Sequence, residues 1–370
     1  MRERGGWRLE TGGTPHRTLT PSRFSFSLSP SQMALPAVLG ALLRARAFVL
    51  VGDHYQLPPL AASERAGGEG GGSGGGGGLT ESLFRVLTEA HPQATTMLRR
   101  QYRMPAAVQD LANALVYCGA LVAGHPSVAA RTLPRPAWEV AGRLPPPMPP
   151  WLAAALDPVR PVVVLSTELD AVQVEDEGGG EGGEGREGRG GAAAPPGLLR
   201  GCAEVRAGDT AANPGEAALM GAVARGLVAA GVGPADIVAV SPYRAQVGLL
   251  SRAAAASSGG EGATGGWGGV EALTVDQCQG RDRAVVLLSL VRSNPAREPG
   301  RPLADWRRVN VALTRSREKL VVVGDPRTAG RVPLLAALLA RAAAGGWVVA
   351  VPPGAAAEAG QWFAGAAGGA

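Results

Sequence analysis

TVDQCQGRDRAVVLLSL, Thr274–Leu290, changes character halfway. Its second half, Ala284–Leu290, is a continuous apolar run, the pattern of a strand buried on both faces. Its first half is a polar cluster around Gly280, and Val270–Val275 just before it reads as another strand. Outward from this stretch the same alternation repeats. Pro161–Ser166, Asp236–Ser241 and Leu320–Val323 read as strands. Helices are expected at Asn213–Ala230, with an Asn cap and Pro in the first turn, and at Arg244–Ala256, Trp306–Arg317 and Leu334–Ala343. Nearer the N-terminus, Ala47–Val51 is a further doubly buried strand, Glu81–Ala90 has helical spacing, and Pro105–Tyr117 opens a helix with proline. Strands alternating with helices imply an α/β fold, a parallel sheet with helices on both faces. Ligands of such sheets bind beyond the carboxyl ends of the strands, and the polar clusters are expected there.

Composition adds less. Apolar residues make up 45% of the 370, enough for a sizeable core. The net charge of +5 favours a polyanionic partner, but the cations are almost all arginine, with Lys319 the lone lysine, which a GC-rich genome would also produce. Cys118, Cys202 and Cys278 have neither metal spacing nor an even count, which suits a reducing compartment. No apolar run approaches membrane-spanning length and no signal-peptide core is present, so no membrane association is expected. Two low-complexity stretches, 67–78 and about 175–197, read as flexible insertions. Residues 145–150 form a stiff proline connector, and the Ala/Gly tail beyond Pro353 is expected to fray.

Five polar clusters follow or separate the apolar runs: GDHYQLPP (52–59), RRQYRMP (99–105), SPYRAQ (241–246), TVDQCQGRD (274–282) and WRRVNVALTRSREKL (306–320). Singly, each has an ordinary reading: Asp53 as a turn residue, Gln56 as a solvated amide, Arg103 and Arg315 as surface arginines, Gln279-Gly280 as a turn. In this order they resemble superfamily 1 helicases of the 5′-to-3′ branch, from about residue 31 to about 346. The wording DQCQGRDRAVVLLSLVRSN, LADWRRVNVALTRSREKL and NPGEA resembles, within that branch, the C-terminal helicase part of the eukaryotic DNA replication ATP-dependent helicase/nucleases.

That resemblance implies a RecA-like P-loop NTPase fold with ATP and Mg²⁺ as cofactors and single-stranded DNA as partner. GDHYQLPP would present Asp53 and Gln56 to the nucleotide, the glutamine amide contacting both water and a phosphate oxygen. Tyr102 would offer a face to the base, and Arg103 a planar fork to the phosphates. Gln279, Gly280 and Asp282 would lie near ribose and phosphates. Arg315, on a helix, would serve as the arginine finger. Ser241, Tyr243, Gln246 and Thr274 would line the nucleic-acid channel. Cys278 stands where an aromatic is frequent, and reads as packing.

Two of the family's motifs are not in these 370 residues. There is no GxxxxGK[ST], whose lysine holds phosphates, and the Mg²⁺-holding Asp-Glu pair is replaced by Leu28-Ser29-Pro30. The nuclease domain and its Fe–S cysteines are missing as well. The expected organisation is therefore an unassigned 1–30, the end of a first RecA-like domain at 31–93, a complete second one at 94–346, and a tail at 347–370. A truncated gene model is preferred to a genuinely short protein, with a missing N-terminal helicase half as the natural partner. The chain alone is expected not to hydrolyse ATP. The alternatives are an inactive nucleic-acid-binding module and an RNA-helicase fragment. The nucleus is the expected compartment, with the mitochondrion as a second.

Overall fold

The apolar run Ala284–Leu290 forms most of one strand of a six-stranded sheet. The computed structural model describes residues 24–26, 39–40, 42–43, 47–59, 82–143, 146–167, 202–207, 210–256 and 267–362. The insertions at 67–78 and 175–197 fall outside these. The chain divides into two compact units, Met1–Thr95 and Thr96–Ala370.

In the second unit the large sheet is built from β5 (Val162–Ser166), β8 (Ile237–Ser241), β9 (Glu271–Thr274), β10 (Arg283–Ser289), β11 (Ser316–Gly324) and β12 (Val348–Ala350). Their order is β12-β5-β11-β10-β8-β9, and every pairing is parallel. On one face Val285, Leu287, Val321 and Val323 pack against Leu219, Met220, Val223 and Leu227 of the Pro214–Ala229 helix, with Trp151 and Leu152 alongside. The alternate residues Val286, Leu288, Val238 and Val322 are buried too. Leu288 lines a small apolar cavity together with Val309 and Ala312 of the Trp306–Leu313 helix. Helices on both faces explain why these strands read as unbroken apolar runs. Each such buried side chain stabilises by about 1.5–3 kcal/mol. This is the α/β, RecA-like architecture the sequence implies.

Four local expectations change. The Pro105–Tyr117 helix is α-helical only over Ala106–Ala112, and Asn113–Tyr117 widens into a π-helical turn. The helix expected through Arg317 ends at Leu313. Thr314 Oγ1 donates to the Asn310 carbonyl (2.8 Å), and Arg315 Nε to that of Val311 (2.9 Å), so side chains take the last carbonyls. Ser316 then pairs with Arg283 as β11 begins. Lys319, just past the expected end of that helix, is instead buried on β11, where Nζ donates to the carbonyls of Asp157 (2.8 Å) and Arg160 (2.6 Å). Finally, part of the Ala/Gly tail is structured. Ala355–Glu358 is a short helix whose Ala355 is buried with Ala359, and Arg225 donates to the carbonyls of Ala359 and Trp362. Alanine's small side chain lets that segment lie close against the 214–229 helix.

In the first unit, β1 (Phe24–Phe26) pairs in parallel with β2 (Phe48–Leu50). The expectation that Ala47–Val51 is buried on both faces fails, since Phe48, Val49 and Val51 are exposed. An apolar strand needs a covering layer to be buried, and the described residues of this unit supply none. Leu83–Ala90 is helical, as its spacing predicts.

Candidate functional site

Strand direction sorts the predicted residues into two groups. Ser241 ends β8 and is in register with Thr274 at the end of β9. Both therefore lie at the carboxyl edge of the sheet, where they are expected. The chain then runs back through a short helix, Val275–Cys278, and Gln279–Asp282 lead into the start of β10. Arg315 likewise precedes the start of β11, and Arg283 N donates to its carbonyl (3.1 Å). Gln279, Gly280, Asp282 and Arg315 thus lie toward the amino edge, not the carboxyl edge as expected. The six steps from Arg283 to Ser289 along β10 separate the two edges by about 20 Å at 3.3 Å per residue.

At the amino edge two arginines converge. Arg103 follows the short strand β3 (Arg100–Gln101), and Gln101 Oε1 accepts from the backbone N–H of Arg103 (2.8 Å) and Met104 (2.7 Å). So fixed, Arg103 donates from Nη1 to the Thr314 carbonyl (3.2 Å), one residue from Arg315. Arg315 is almost wholly buried, and its Nη2 reaches Thr314 Oγ1 at 3.4 Å. Burial, and then the neighbouring positive charge of Arg103, push its guanidinium down to about 10, while Cys278, Tyr117 and Asp282 oppose the shift. Two guanidiniums held together form a site whose natural complement is an anion. Arg103 is the more exposed of the two. Asp282 lies 3.8 Å from Arg317 Nε, and Arg281 and Arg283 both pair with Glu271. Gly280 has φ +77, a left-handed turn that glycine adopts without strain. Tyr102 is 62% exposed beside Arg103.

At the carboxyl edge Thr274 caps the 275–278 helix in a capping box with Gln277. The other three predicted nucleic-acid residues face inward: Ser241, Tyr243 and Gln246 are all buried. Gln246 Oε1 accepts from Asn213 N (2.7 Å), and Nε2 donates to the Asn213 carbonyl (3.2 Å) and Ser289 Oγ (3.1 Å). Tyr243 Oη donates to the Pro299 carbonyl (2.9 Å).

Beneath this edge lies a buried polar network that sequence reading missed. Asn213 Nδ2 donates to the carbonyls of Cys202 (2.7 Å) and Val291 (3.0 Å). Glu216 Oε2 accepts from Ser289 Oγ (2.6 Å) and Val291 N (2.9 Å). Val291 has φ +70, rare for a β-branched residue, and Arg292 N bonds back to the Leu290 carbonyl (2.8 Å), closing a strained three-residue turn. Desolvation pushes the Glu216 carboxyl up to about 8, against the lowering effect of its hydrogen bonds. The only sequence signal was the Asn-cap spacing, N-x-x-E.

In the first unit, Asp53 Oδ1 accepts from Tyr55 N and Oδ2 from Gln56 Nε2, both at 2.9 Å. The two residues the resemblance assigns to the nucleotide are hydrogen-bonded to each other. Among the described residues no group of three or more His, Cys, Asp or Glu side chains gathers as a metal site. The described residues thus offer no such group to Mg²⁺, and no metal-dependent step is assigned to them. No helix among them is long and apolar enough to cross a membrane.

A family model described as an AAA domain matches residues 79–327, and the chain belongs to that family. It is similar to the DNA replication ATP-dependent helicase/nuclease JHS1 of Arabidopsis thaliana, with 37% identity over 310 residues, 83% of this chain and 19% of that protein. It is also similar to the DNA replication ATP-dependent helicase/nuclease DNA2 of Mus musculus, at 34% over 334 residues (88% of this chain, 27% of that one). The Saccharomyces cerevisiae protein of that name shares 32% over 325 residues (85% and 18%). The resemblance to the C-terminal helicase part of these proteins is borne out. The chain spans between 18% and 27% of the length of these three relatives.

Proposed function

We propose that this chain carries nucleotide- and DNA-handling surfaces of an ATP-dependent 5′-to-3′ DNA helicase acting in replication and repair, in the nucleus and, as a second site, the mitochondrion. The observation that carries the reading is the convergence of Arg103 and Arg315 at the amino edge of the sheet. Two cations brought together at a cost to one of them suit the triphosphate of ATP, whose charge grows on the transferred group during hydrolysis. Arg103, fixed by Gln101, would meet the phosphates first, with Arg315 completing a double fork behind it. Asp282 and Gln279-Gly280 stand on the same edge for ribose and phosphate oxygens. In the first unit, Gln56 would trade its bond with Asp53 for one with water or phosphate.

Thr274 is the residue proposed to touch the phosphate backbone of single-stranded DNA. Ser241, Tyr243 and Gln246 would act behind it: Gln246 bonds Asn213 and Ser289, Tyr243 bonds Pro299, and Ser241 Oγ accepts from Tyr243 N, so that they hold the carboxyl edge in shape. The names of the relatives support DNA as the substrate class. Calorimetry with inorganic tripolyphosphate tests the central point. Arg103→Ala and Arg315→Ala should each weaken binding at least tenfold. Unchanged binding in both would leave them as structural arginines and remove the basis of the reading.

A further inference from the structure

We propose that Gly124 is the seat of Tyr102, a positioning residue that lays the phenol ring flat so that its open face receives the base of a nucleotide. The inference rests on reading Arg103 and Arg315 as the phosphate site.

Tyr102 follows β3, and Gly124 follows β4 (Val122–Ala123), the strand parallel to it. Gly124 N donates to the Gln101 carbonyl at 2.8 Å, so the glycine backbone is tied to the residue before Tyr102. A Cβ built on Gly124 would overlap the Tyr102 ring at Cε1 and Cζ, with Cδ1 at 2.8 Å. The ring therefore lies on the bare glycine backbone. Gly124 does not need glycine for its φ, since it lies outside the left-handed region that other glycines here occupy. Its requirement is space for the ring.

That space has a use. A tyrosine 62% exposed to solvent would ordinarily sample several rotamers and lose that freedom on binding. Resting one face on Gly124 holds the ring beforehand, and preorganisation of this kind raises affinity by lowering the cost of ordering. The rest of the side chain, 62% exposed, is accessible to a planar ring. Arg103, the next residue, points to the Thr314 carbonyl beside Arg315. A flat apolar face next to a pair of guanidiniums matches one class of small ligand, an aromatic base carrying phosphates.

The consequence of adding a methyl group is specific. The backbone at Gly124 is held by its hydrogen bond, whereas the exposed ring is not enclosed, so in Gly124→Ala the ring moves and the fold stays. The test uses the whole chain and two probes, ATP and inorganic tripolyphosphate, by calorimetry. The wild type should bind ATP more tightly than tripolyphosphate. Tyr102→Ala should lose about five- to hundredfold in ATP affinity, the range for a base stacked on an aromatic side chain. Gly124→Ala should lose a comparable factor, with tripolyphosphate binding unchanged in both. Added to Tyr102→Ala, it should cost nothing further, because the two substitutions remove one interaction. In NMR spectra the Gly124 α-protons should be shifted by the ring current, and Tyr102→Ala should abolish the shift.

Each failure has its own signature. A wild type that binds ATP no better than tripolyphosphate overturns the base-stacking role. Loss of tripolyphosphate binding in the arginine variants, with ATP selectivity unaffected by Tyr102→Ala, leaves the phosphate site standing and removes the base platform. A large effect of Tyr102→Ala with none from Gly124→Ala, or an unshifted Gly124 resonance, overturns the seat. Additive losses in the double variant would make the glycine merely structural.

Discussion

Replacing Glu216 by glutamine should remove most of the loss of stability that this protein shows between about pH 5 and pH 7. The side chain is fully buried and burial pushes its carboxyl from 4.5 up to about 8. The folded state thus holds a proton that the unfolded chain releases above about 4.5. For an acid whose folded pKa is raised, stability is greatest below the unfolded value and falls as pH rises to the folded one. The slope is about 1.4 kcal/mol per pH unit, so close to 3 kcal/mol should be lost between about pH 5 and pH 7. Lys319 acts in the opposite sense but higher: burial pushes its ammonium from 10.5 down to about 7, so its contribution grows only above pH 7. Cys202, pushed up to about 12, acts only above its ordinary value of 9.0.

Glutamine has nearly the same shape and no proton to lose. Its carbonyl can accept from Ser289 and Val291 as Oε2 does, while its amide faces Asn213 Nδ2, which now donates to Oε1 at 3.2 Å. Losing that one weak bond costs about 1 kcal/mol. Near pH 5 the variant and wild type should be about equal, and near pH 7 the variant should be more stable by about 2 kcal/mol. Urea unfolding followed by tryptophan fluorescence measures this, since Trp151 and Trp267 are buried in the core and change environment on unfolding. Glu216→Ala serves as the contrast: it leaves the Ser289 and Val291 donors unpaired and should be destabilised at every pH. Parallel pH profiles for wild type and Glu216→Gln would refute the reasoning, because they would mean that the carboxyl titrates alike folded and unfolded.

Other outcomes follow from the same geometry. Arg315→Lys should fail to restore tripolyphosphate binding lost in Arg315→Ala, because an ammonium lacks the planar fork. Recovery to within twofold would count against a bidentate role. Binding of single-stranded DNA should weaken steeply with salt as phosphate contacts release counterions, and a flat salt titration would remove the DNA assignment at the carboxyl edge. Thr274→Ser should keep the helix cap and DNA binding, whereas Thr274→Ala should lose both. The cap alone is worth about 1 kcal/mol, so thermal denaturation must accompany the binding measurement. The purified chain should show no ATP turnover approaching 1 s⁻¹, near the low end of enzyme rates, because no residue of the sequence supplies the phosphate-loop lysine. Sustained turnover by contaminant-free protein would contradict this.

The four central strands of the large sheet, β5, β8, β10 and β11, were legible because burial on both faces leaves a one-dimensional trace, an apolar run four to six residues long, as in VVVLS or AVVLLS. The edge strand β12, largely exposed and three residues long, fell within the expected tail. The same trace misled at Ala47–Val51, where the run is apolar but its surroundings leave it exposed. The helix expected through Arg317 overruns its true end at Leu313, because Ser316 and Arg317 are both acceptable in a helix. Pairing of Ser316 with Arg283 overrides that preference, and propensity differences of a few tenths of a kcal/mol cannot resist a ladder of backbone bonds. The glutamates divide in a similar way. Glu216 belongs to a capping pattern that could be read, yet its burial depends on Ser289 and Val291, more than seventy residues away in sequence.

The displacement of half the candidate site to the amino edge has a simpler origin. In a parallel sheet, residues that follow an apolar run lie at its carboxyl end, and residues that precede one lie at its amino end. Ser241 and Thr274 end their strands, whereas Asp282 and Arg315 immediately precede β10 and β11. The order of polar and apolar residues in TVDQCQGRDRAVVLLSL therefore contained the answer. The expectation of a carboxyl-edge site came from the behaviour of α/β proteins whose ligand binds to a single sheet. The residues from Thr274 to Asp282 span both edges: one end caps a helix beside the proposed DNA contact, and the other lies next to the arginine pair. Between them lie a single helical turn, 275–278, and a tight turn through Gln279-Gly280 in which Arg281 N donates to the Cys278 carbonyl (3.1 Å), so one short segment joins the two edges.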